Sequence, residues 1–387
     1  MKQFSISGMP RIVFGKETFG ILPKIIRDYG RKVLVVTGGV SFKASGRMDQ
    51  LSEFFAKNKI SMQHLEIDRE PSPKMIDRAV AEYRRTPVNA VVAIGGGSVL
   101  DAGKAIAAMI AEEGSVMDYL EGIGTKKLSG VKAPFIAVPT TAGTGSEATK
   151  NAVLTEVGSD GFKKSLRHDG FIPDVALVDP CLMTSCPPAL TAACGLDALS
   201  QLVESYLSTG ANPFTDALAE SGLQAFSEGF VPAYENGANT DARERMAYAA
   251  LMSGICLAHA GLGTVHGIAG PLGARISIPH GAACGTILAA VLKEFEARES
   301  SWDGTMRRKF INAGRILDGN TGKEDAYYIA RLPEIAQNLT DRTKMPRLGS
   351  FGLSDDDCSA VAQASDNKAS PVKLDQETIL SVLRARL

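Results

Sequence analysis

The sequence predicts a two-part chain: an α/β domain on a doubly wound, mostly parallel sheet, followed by an all-helical domain. Three observations predict it. At 387 residues the chain is longer than a single core usually grows. Through the first half, short β-branched runs alternate with segments of helical period. After Val178-Asp179-Pro180 that rhythm stops, and Ala- and Leu-rich text with a period near 3.6 residues takes over. The expected boundary divides residues 1–180 from 181–387.

In chain order, the expected strands are Arg11–Phe14, Lys32–Thr37, Met62–Ile67, Ala90–Ile94, Phe135–Val138 and Ala176–Val178. Several are apolar without alternation, as strands covered on both faces are. Between them Thr18–Tyr29, Arg47–Asn58, Pro73–Arg84 and Leu100–Glu112 read as helices. From Thr191 to Ala297 no strand pair appears, and Arg307–Leu317, Ala326–Leu339 and Gln376–Leu387 continue the helical text.

Composition narrows the class of partner. Lys and Arg total 42 against 43 Asp and Glu, a formal net charge of −1, so neither nucleic acid nor an anionic membrane is an expected partner. No run of about 18 uncharged apolar residues suggests a membrane span. The opening MKQFSISGMPRIVFG has neither an apolar core nor a small-residue cleavage site, so it does not read as a signal peptide, and a cytoplasmic location is expected. The six cysteines form no C-x-x-C pair and read as buried free thiols of a reducing compartment.

Chemistry first appears at Gly95-Gly96-Gly97-Ser98, between the apolar run Asn89–Ile94 and the helix-like VLDAGKAIAAMIAEE. Glycines at a strand-to-helix turn let bare backbone approach a ligand, and the helix start offers free N–H groups to an anion such as a diphosphate. A plain tight turn is the competing reading. Pro139–Thr149 follows the next strand, and from Thr140 to Ser146 every residue except Ala142 is glycine or carries a hydroxyl. This run reads as a second polar wall, around a ribose or nicotinamide, and equally as a helix start capped by Thr144 or Ser146.

GGGSVLDAGKAIA together with PTTAGTGSEAT resembles the paired cofactor motifs of the iron-containing alcohol dehydrogenases, with Gly103 where alanine is usual. The resemblance continues through KKSLRHDGFIPDVALVDP, GLDALSQLVESYL, GLGTVHGIAGPLGARISIPHG and the NKASPVKLDQETILSVLRARL tail, and so spans essentially the whole chain. It implies an N-terminal dinucleotide-binding α/β domain, an all-helical metal- and substrate-binding domain (the dehydroquinate synthase-like fold), and a divalent metal, Fe²⁺ or Zn²⁺, between them. Gly96, Gly97, Ser98, Asp101, Thr140, Thr141, Thr144, Thr149 and Lys163 match the family's cofactor-contacting positions. The family also implies a homodimer formed through the first-strand region.

Asp197 and Gln201 lie four apart in helical text, so both side chains point the same way. His266 and His280 are each beside a glycine, and Gly267, Gly270, Pro271 and Gly273 argue against one helix carrying both. The resemblance makes Asp197, His266 and His280 metal-binding and catalytic residues, and Gln201 stands where the family has a third histidine. An amide oxygen is a weaker ligand than imidazole, so Gln201 is read as ligating, as holding a water, or as standing aside. Gly270 replaces a histidine that many members carry. His64, His168 and His259 read as structural or surface residues, and Glu204 as capping or pairing rather than catalysing.

After Lys32–Thr37 come Gly38, Gly39 and Ser41, with no carboxylate to hold an adenosine ribose. Ser41, Lys43 and nearby backbone N–H groups suit a 2′-phosphate, so NADP is favoured over NAD. The expected activity is metal-dependent, NAD(P)-linked hydride transfer on a small alcohol or aldehyde. One rival is a reductase of an acidic ketone resembling maleylacetate reductase, with Arg275 as a carboxylate contact. The other is a nucleotide-binding protein without turnover.

Overall fold

The computed structural model describes residues 3–387. Met1 and Lys2, the start of the segment read as lacking a signal peptide, lie outside the described residues. The strands are β1 (Arg11–Phe14), β2 (Lys32–Gly38), β3 (Ser61–Ile67), β4 (Ala90–Gly95), β5 (Phe135–Pro139), β6 (Asn151–Glu156), β7 (Phe162–Arg167) and β8 (Val175–Val178). Six of them form one parallel sheet in the order β1-β8-β5-β4-β2-β3. Helices α1 (Leu22–Arg27), α2 (Ser41–Ala44), α3 (Arg47–Asn58), α4 (Pro73–Tyr83) and α5 (Gly97–Met109) fall among these strands.

The missing alternation in the central strands has a direct cause. Val33, Val35, Val92 and Ile94 pack with Ile26, Leu51 and Phe55 in one layer. Leu34, Val36, Val91 and Ala93 pack with Ile76, Val80, Leu100 and Ile106 in the other. Both faces are covered, so both sets of side chains are apolar. The chain lays β3 against one side of β2 and then returns to place β4 against the other. A crevice opens outside the carboxyl ends of strands at such a reversal, and the turns after β2 and β4 carry the Gly38 and Gly95 runs.

Every element after Pro180 is helical: α6 (Pro188–Leu207), α7 (Pro213–Glu235), α8 (Thr240–Ala260), α9 (Thr264–Arg275), α10 (His280–Glu296), α11 (Gly304–Asp318), α12 (Asp325–Arg342), α13 (Asp355–Ala364) and α14 (Gln376–Ala385), with short 3₁₀ turns. One apolar cluster, including Leu196, Leu199, Phe226, Ile268 and Leu292, fills their interior. At Gly261, whose φ of +76° suits glycine, the chain turns through 98° from α8 into α9. No single helix among the described residues is long and apolar enough to cross a membrane.

Three expectations need correction. The helix read at Thr18–Tyr29 is a 3₁₀ turn, Thr18–Ile21, followed by α1; Pro23 sits at the start of α1, and Asp179 captures the N–H groups of Glu17 and Phe19. The antiparallel hairpin β6–β7 was not anticipated, although the Val157–Gly161 turn and alternating Ala152 and Leu154 are strand signals. Helix α13 was also missed; a capping box formed by Ser354 and Asp357 starts it.

Candidate active site

The carboxyl ends of β2, β4 and β5 open onto a cleft of about 830 Å³. Gly38, Ser41, Gly95, Gly96, Gly97, Ser98, Thr140, Thr141 and Thr144 line it from the α/β side, and Cys194, Asp197 and His280 from the helical side. An inner chamber of about 220 Å³ adjoins it, sharing Gly97, Ser98, Thr144 and His280. Asp101, Thr149, Lys163, Gln201, His266 and Gly270 line this chamber. Of the expected cofactor positions, Gly39 alone lines neither space; a Cβ there would stand 3.0 Å from Glu66 Oε1.

The glycines are required by their neighbours as well as by any ligand. A Cβ on Gly97 would lie 2.6 Å from Thr144 Cγ2, and one on Gly95 would lie 2.6 Å from Val99 Cβ. The two motifs are therefore pressed together. No side chain caps the start of α5, whose first turn faces the cleft, an arrangement suited to a bound anion. In the second motif the capping reading needs correction: Gly145, at φ +61°, stands before a three-residue 3₁₀ turn, Ser146–Ala148, that no side chain caps, and Thr144 Oγ1 only accepts the N–H of Ser146.

Fully buried Lys104 ties the motifs together, donating to Ser146 O at 2.8 Å, Ser146 Oγ at 3.1 Å, Thr149 Oγ1 at 2.9 Å and Asn151 O at 2.9 Å. Asp101 accepts from Ser146 Oγ at 2.6 Å and from the N–H of Val153. Burial, only partly offset by Asp101 and Glu147, pushes Lys104 down to about 8. Thus Asp101 lines the chamber and also anchors β6. Gly103 leaves room for the sheet: a Cβ there would meet Ala93 at 2.7 Å and Phe135 at 3.0 Å.

At the floor, α6 carries Asp197 and Gln201, α9 carries His266, and α10 opens with His280 and brings Cys284 one turn later. Two helices deliver the two imidazoles, with α9 ending at Arg275 and Pro279 preceding α10. His266 Nε2 lies 3.3 Å from Asp197 Oδ1, and His280 Nε2 lies 3.9 Å from the same oxygen. Both Asp197 carboxylate oxygens are buried without a hydrogen-bond partner. An ionised carboxylate is costly to leave so, and a bound cation is the natural remedy. The donor atoms of Asp197, His266, His280 and Cys284 all lie within 4.8 Å of one another, which fits a divalent ion.

The surroundings hold this cluster in shape. Glu204 accepts the Val265 N–H and, at 2.7 Å, bonds His266 Nδ1, so that Nε2 faces Asp197. Burial opposes charge on both histidines. Cys284, Asp197 and Glu204 outweigh it at His266 and raise that ring well above its ordinary value. At His280 burial wins, with Lys163 and His266 adding to it, and the ring falls to about 4. Burial likewise pushes the Cys284 thiol up to about 11. Gln201 Oε1 accepts from Ser253 Oγ at 2.8 Å.

Lys163 lines the chamber and is held by both oxygens of Glu70 at 2.7 Å. Lys43 pairs with Glu66 on β3 and does not line the cleft. Arg275 lies in an outer pocket and pairs with Asp357 at 2.6 Å. His64 bonds Thr37, His168 accepts the Gly170 N–H, and His259 stands edge-on to Phe214, each a structural role. Cys284 and Glu70 escaped sequence reasoning, whereas Lys104 matches the lysine of the glycine-rich motif that the chain shares with the family it resembles. The spacing of Cys284 from His280, four residues on one helix, was the available signal.

Comparison with known proteins places these features in a lineage. Residues 10–180 match the family model described as iron-containing alcohol dehydrogenase, and residues 191–387 match that of the Fe-containing alcohol dehydrogenase family, C-terminal. Long-chain-alcohol dehydrogenase 1 of Geobacillus thermodenitrificans is 36% identical over 70% of this chain and 68% of its own length. NADPH-dependent butanol dehydrogenase of Clostridium saccharobutylicum is 32% identical over 89% of this chain and 86% of its own. Among solved structures, a 1,3-propanediol oxidoreductase superposes with a TM-score of 0.88 at 28% identity over the whole of both chains. A sulfoacetaldehyde reductase from Bifidobacterium kashiwanohense in complex with NAD⁺ gives 0.85 at 26%, covering 100% of this chain and 99% of its own.

Proposed function

The chain belongs to the iron-containing alcohol dehydrogenase family and is an NAD(P)-linked alcohol dehydrogenase; we propose that it prefers NADP(H) and works through the cluster at Asp197, His266 and His280. The observation that carries this reading is the pair of buried, unpartnered Asp197 oxygens facing two imidazoles beside the glycine cleft.

Residues 1–180 form the dinucleotide-binding unit and 181–387 the metal- and substrate-binding unit. Gly95–Ser98 at the start of α5 would hold the diphosphate, and Thr140, Thr141, Thr144 and Thr149 would border the nicotinamide end. Lys163 and Asp101 would complete the wall, and Gly38 and Ser41, without Gly39, would border the adenosine end. A dinucleotide held there would supply the hydride acceptor and donor for reversible transfer at the substrate carbon. Asp197, His266 and His280 would hold a divalent ion, Fe²⁺ or Zn²⁺, which would supply a Lewis acid to a carbonyl or alcohol oxygen. Leu257 and Leu262 line the chamber and limit water around the reacting carbon. At Gly270 nothing stands within 4 Å of where a Cβ would be, so this position supplies no side chain to relay a proton. The enzyme acts as a cytoplasmic homodimer joined along β1, an edge strand.

The absence of a carboxylate directly after β2 and the presence of Ser41 in the cleft support NADP(H), while Arg69 lines the cleft paired with Asp68. Glu66 offsets Lys43. Catalytic efficiency is therefore expected to favour NADPH over NADH, and Glu66→Gln to widen the margin. A tenfold advantage for NADH, about 1.4 kcal/mol, would reject the preference.

A second reading, an anionic carbonyl substrate, is favoured by Arg167 and Lys368, which line the chamber beside Lys163. It does not use Arg275. Comparing KM for an aldehyde acid and an uncharged aldehyde of equal length, with and without chelator, separates the readings. Turnover that survives exhaustive chelation and favours the acid supports the second.

A further inference from the structure

We propose that the metal in this chain is bound by four protein donors, with the Cys284 thiolate taking the place that Gln201 leaves unfilled. The proposal rests on the metal-dependent reading above and concerns which side chain completes the set.

Cys284 is fully buried behind the two imidazoles and lines neither the cleft nor the chamber. Its Sγ lies 3.6 Å from His266 Nε2 and 3.8 Å from His280 Nε2. With metal–nitrogen bonds of about 2.1 Å and a metal–sulfur bond of about 2.3 Å, tetrahedral angles place nitrogen and sulfur roughly 3.6 Å apart. Two oxygen or nitrogen donors at the same angle stand roughly 3.4 Å apart, near the 3.3 Å between Asp197 Oδ1 and His266 Nε2. The second imidazole, at 3.9 Å from that oxygen, is within half an ångström of the same figure. These four separations are near those of donors that share one ion, and every pair of the four donors lies within 4.8 Å.

Gln201 is engaged elsewhere, its Oε1 accepting from Ser253 Oγ at 2.8 Å. Asp197, by contrast, has both oxygens buried and unpartnered. Glu204 on Nδ1 of His266 fixes the ring with Nε2 toward the cluster, as the carboxylate partner of a metal-bound histidine does. Helix α10 explains how one element supplies two donors: His280 and Cys284 are four residues apart, so their side chains project from one face. On binding, the thiol loses its proton to solvent as the metal–sulfur bond forms, with no change of oxidation state. A carboxylate, two imidazoles and a thiolate suit Zn²⁺ or Fe²⁺ and disfavour Mg²⁺ and Mn²⁺.

The test is Co²⁺ loading of the apoprotein, read by metal analysis and absorption spectroscopy, independent of turnover. Wild type is expected to bind one equivalent with an intense thiolate-to-cobalt charge-transfer band in the near ultraviolet. Gln201→Ala should keep that band and the affinity. Cys284→Ser, checked for folding by circular dichroism, should lose the band and bind at least about tenfold more weakly. Stoichiometric Co²⁺ in wild type without the band would overturn the thiolate and leave the metal reading standing, whatever the variants do. Loss of affinity in Gln201→Ala with none in Cys284→Ser would do the same. No bound Co²⁺ in any form would sink the metal reading itself.

Discussion

His266 shows how much one side chain depends on its neighbours. Glu204 holds its Nδ1, Asp197 and Cys284 face its Nε2, and the start of α9 sets its backbone. Removing either imidazole should take away metal affinity without disturbing the glycine cleft. His266→Ala and His280→Ala are expected to lose most turnover while NADPH binding, followed by fluorescence titration, stays close to wild type. Wild-type rates in either variant would refute the assignment. Glu204→Gln keeps the volume but weakens the grip on Nδ1, so metal affinity should fall about 10–100-fold.

At the scale of elements, the decisive contact is between the turn into α5 and the loop after β5. Gly97 and Thr144 touch so closely that a methyl group on Gly97 overlaps the threonine side chain. Gly97→Ala is expected to cost about 1–3 kcal/mol in urea unfolding and to weaken NADPH binding, because the loop must move. Adding Thr144→Ala should recover much of that stability. Failure of the second substitution to recover any would show that the strain lies elsewhere. Lys104 braces the same loop from below, its three N–H donors facing Ser146 O, Ser146 Oγ, Thr149 Oγ1 and, at the start of β6, Asn151 O, which explains a lysine in the middle of an apolar helix.

Across the whole molecule, the α/β and helical parts meet backbone to backbone. A Cβ on Gly145 would lie 2.4 Å from Gly254 Cα, and one on Gly254 would lie 2.2 Å from Gly145 O. Beside this joint sits Glu147, almost fully buried, which burial pushes up to about 7 against the opposition of its own backbone N–H and of Lys104. A carboxyl raised on folding adds stability below its unfolded value near 4.5 and loses that contribution as pH rises through about 7. The difference in unfolding free energy between wild type and Glu147→Gln should therefore shift by about 3 kcal/mol against wild type from pH 4.5 to pH 8. A difference independent of pH would contradict it.

The layered α/β half was legible because strands covered on both faces must be apolar throughout, and Lys32–Gly38 and Ala90–Gly95 show that locally. The β6–β7 hairpin was less so, because Lys163, Lys164 and Ser165 dilute the alternation on one strand. Likewise Asp197, His266 and His280 stood out through their spacing and their resemblance to a known family. Which atoms meet them depends on packing at long range. Cys284 joins the cluster because α10 crosses α6 and α9, Gln201 finds Ser253 on α8, and Arg275 finds Asp357 on α13. Periodicity and motif act within one segment and can be read along the chain. Donor sets and ion pairs join segments far apart in sequence, so their members become known when the helices are packed.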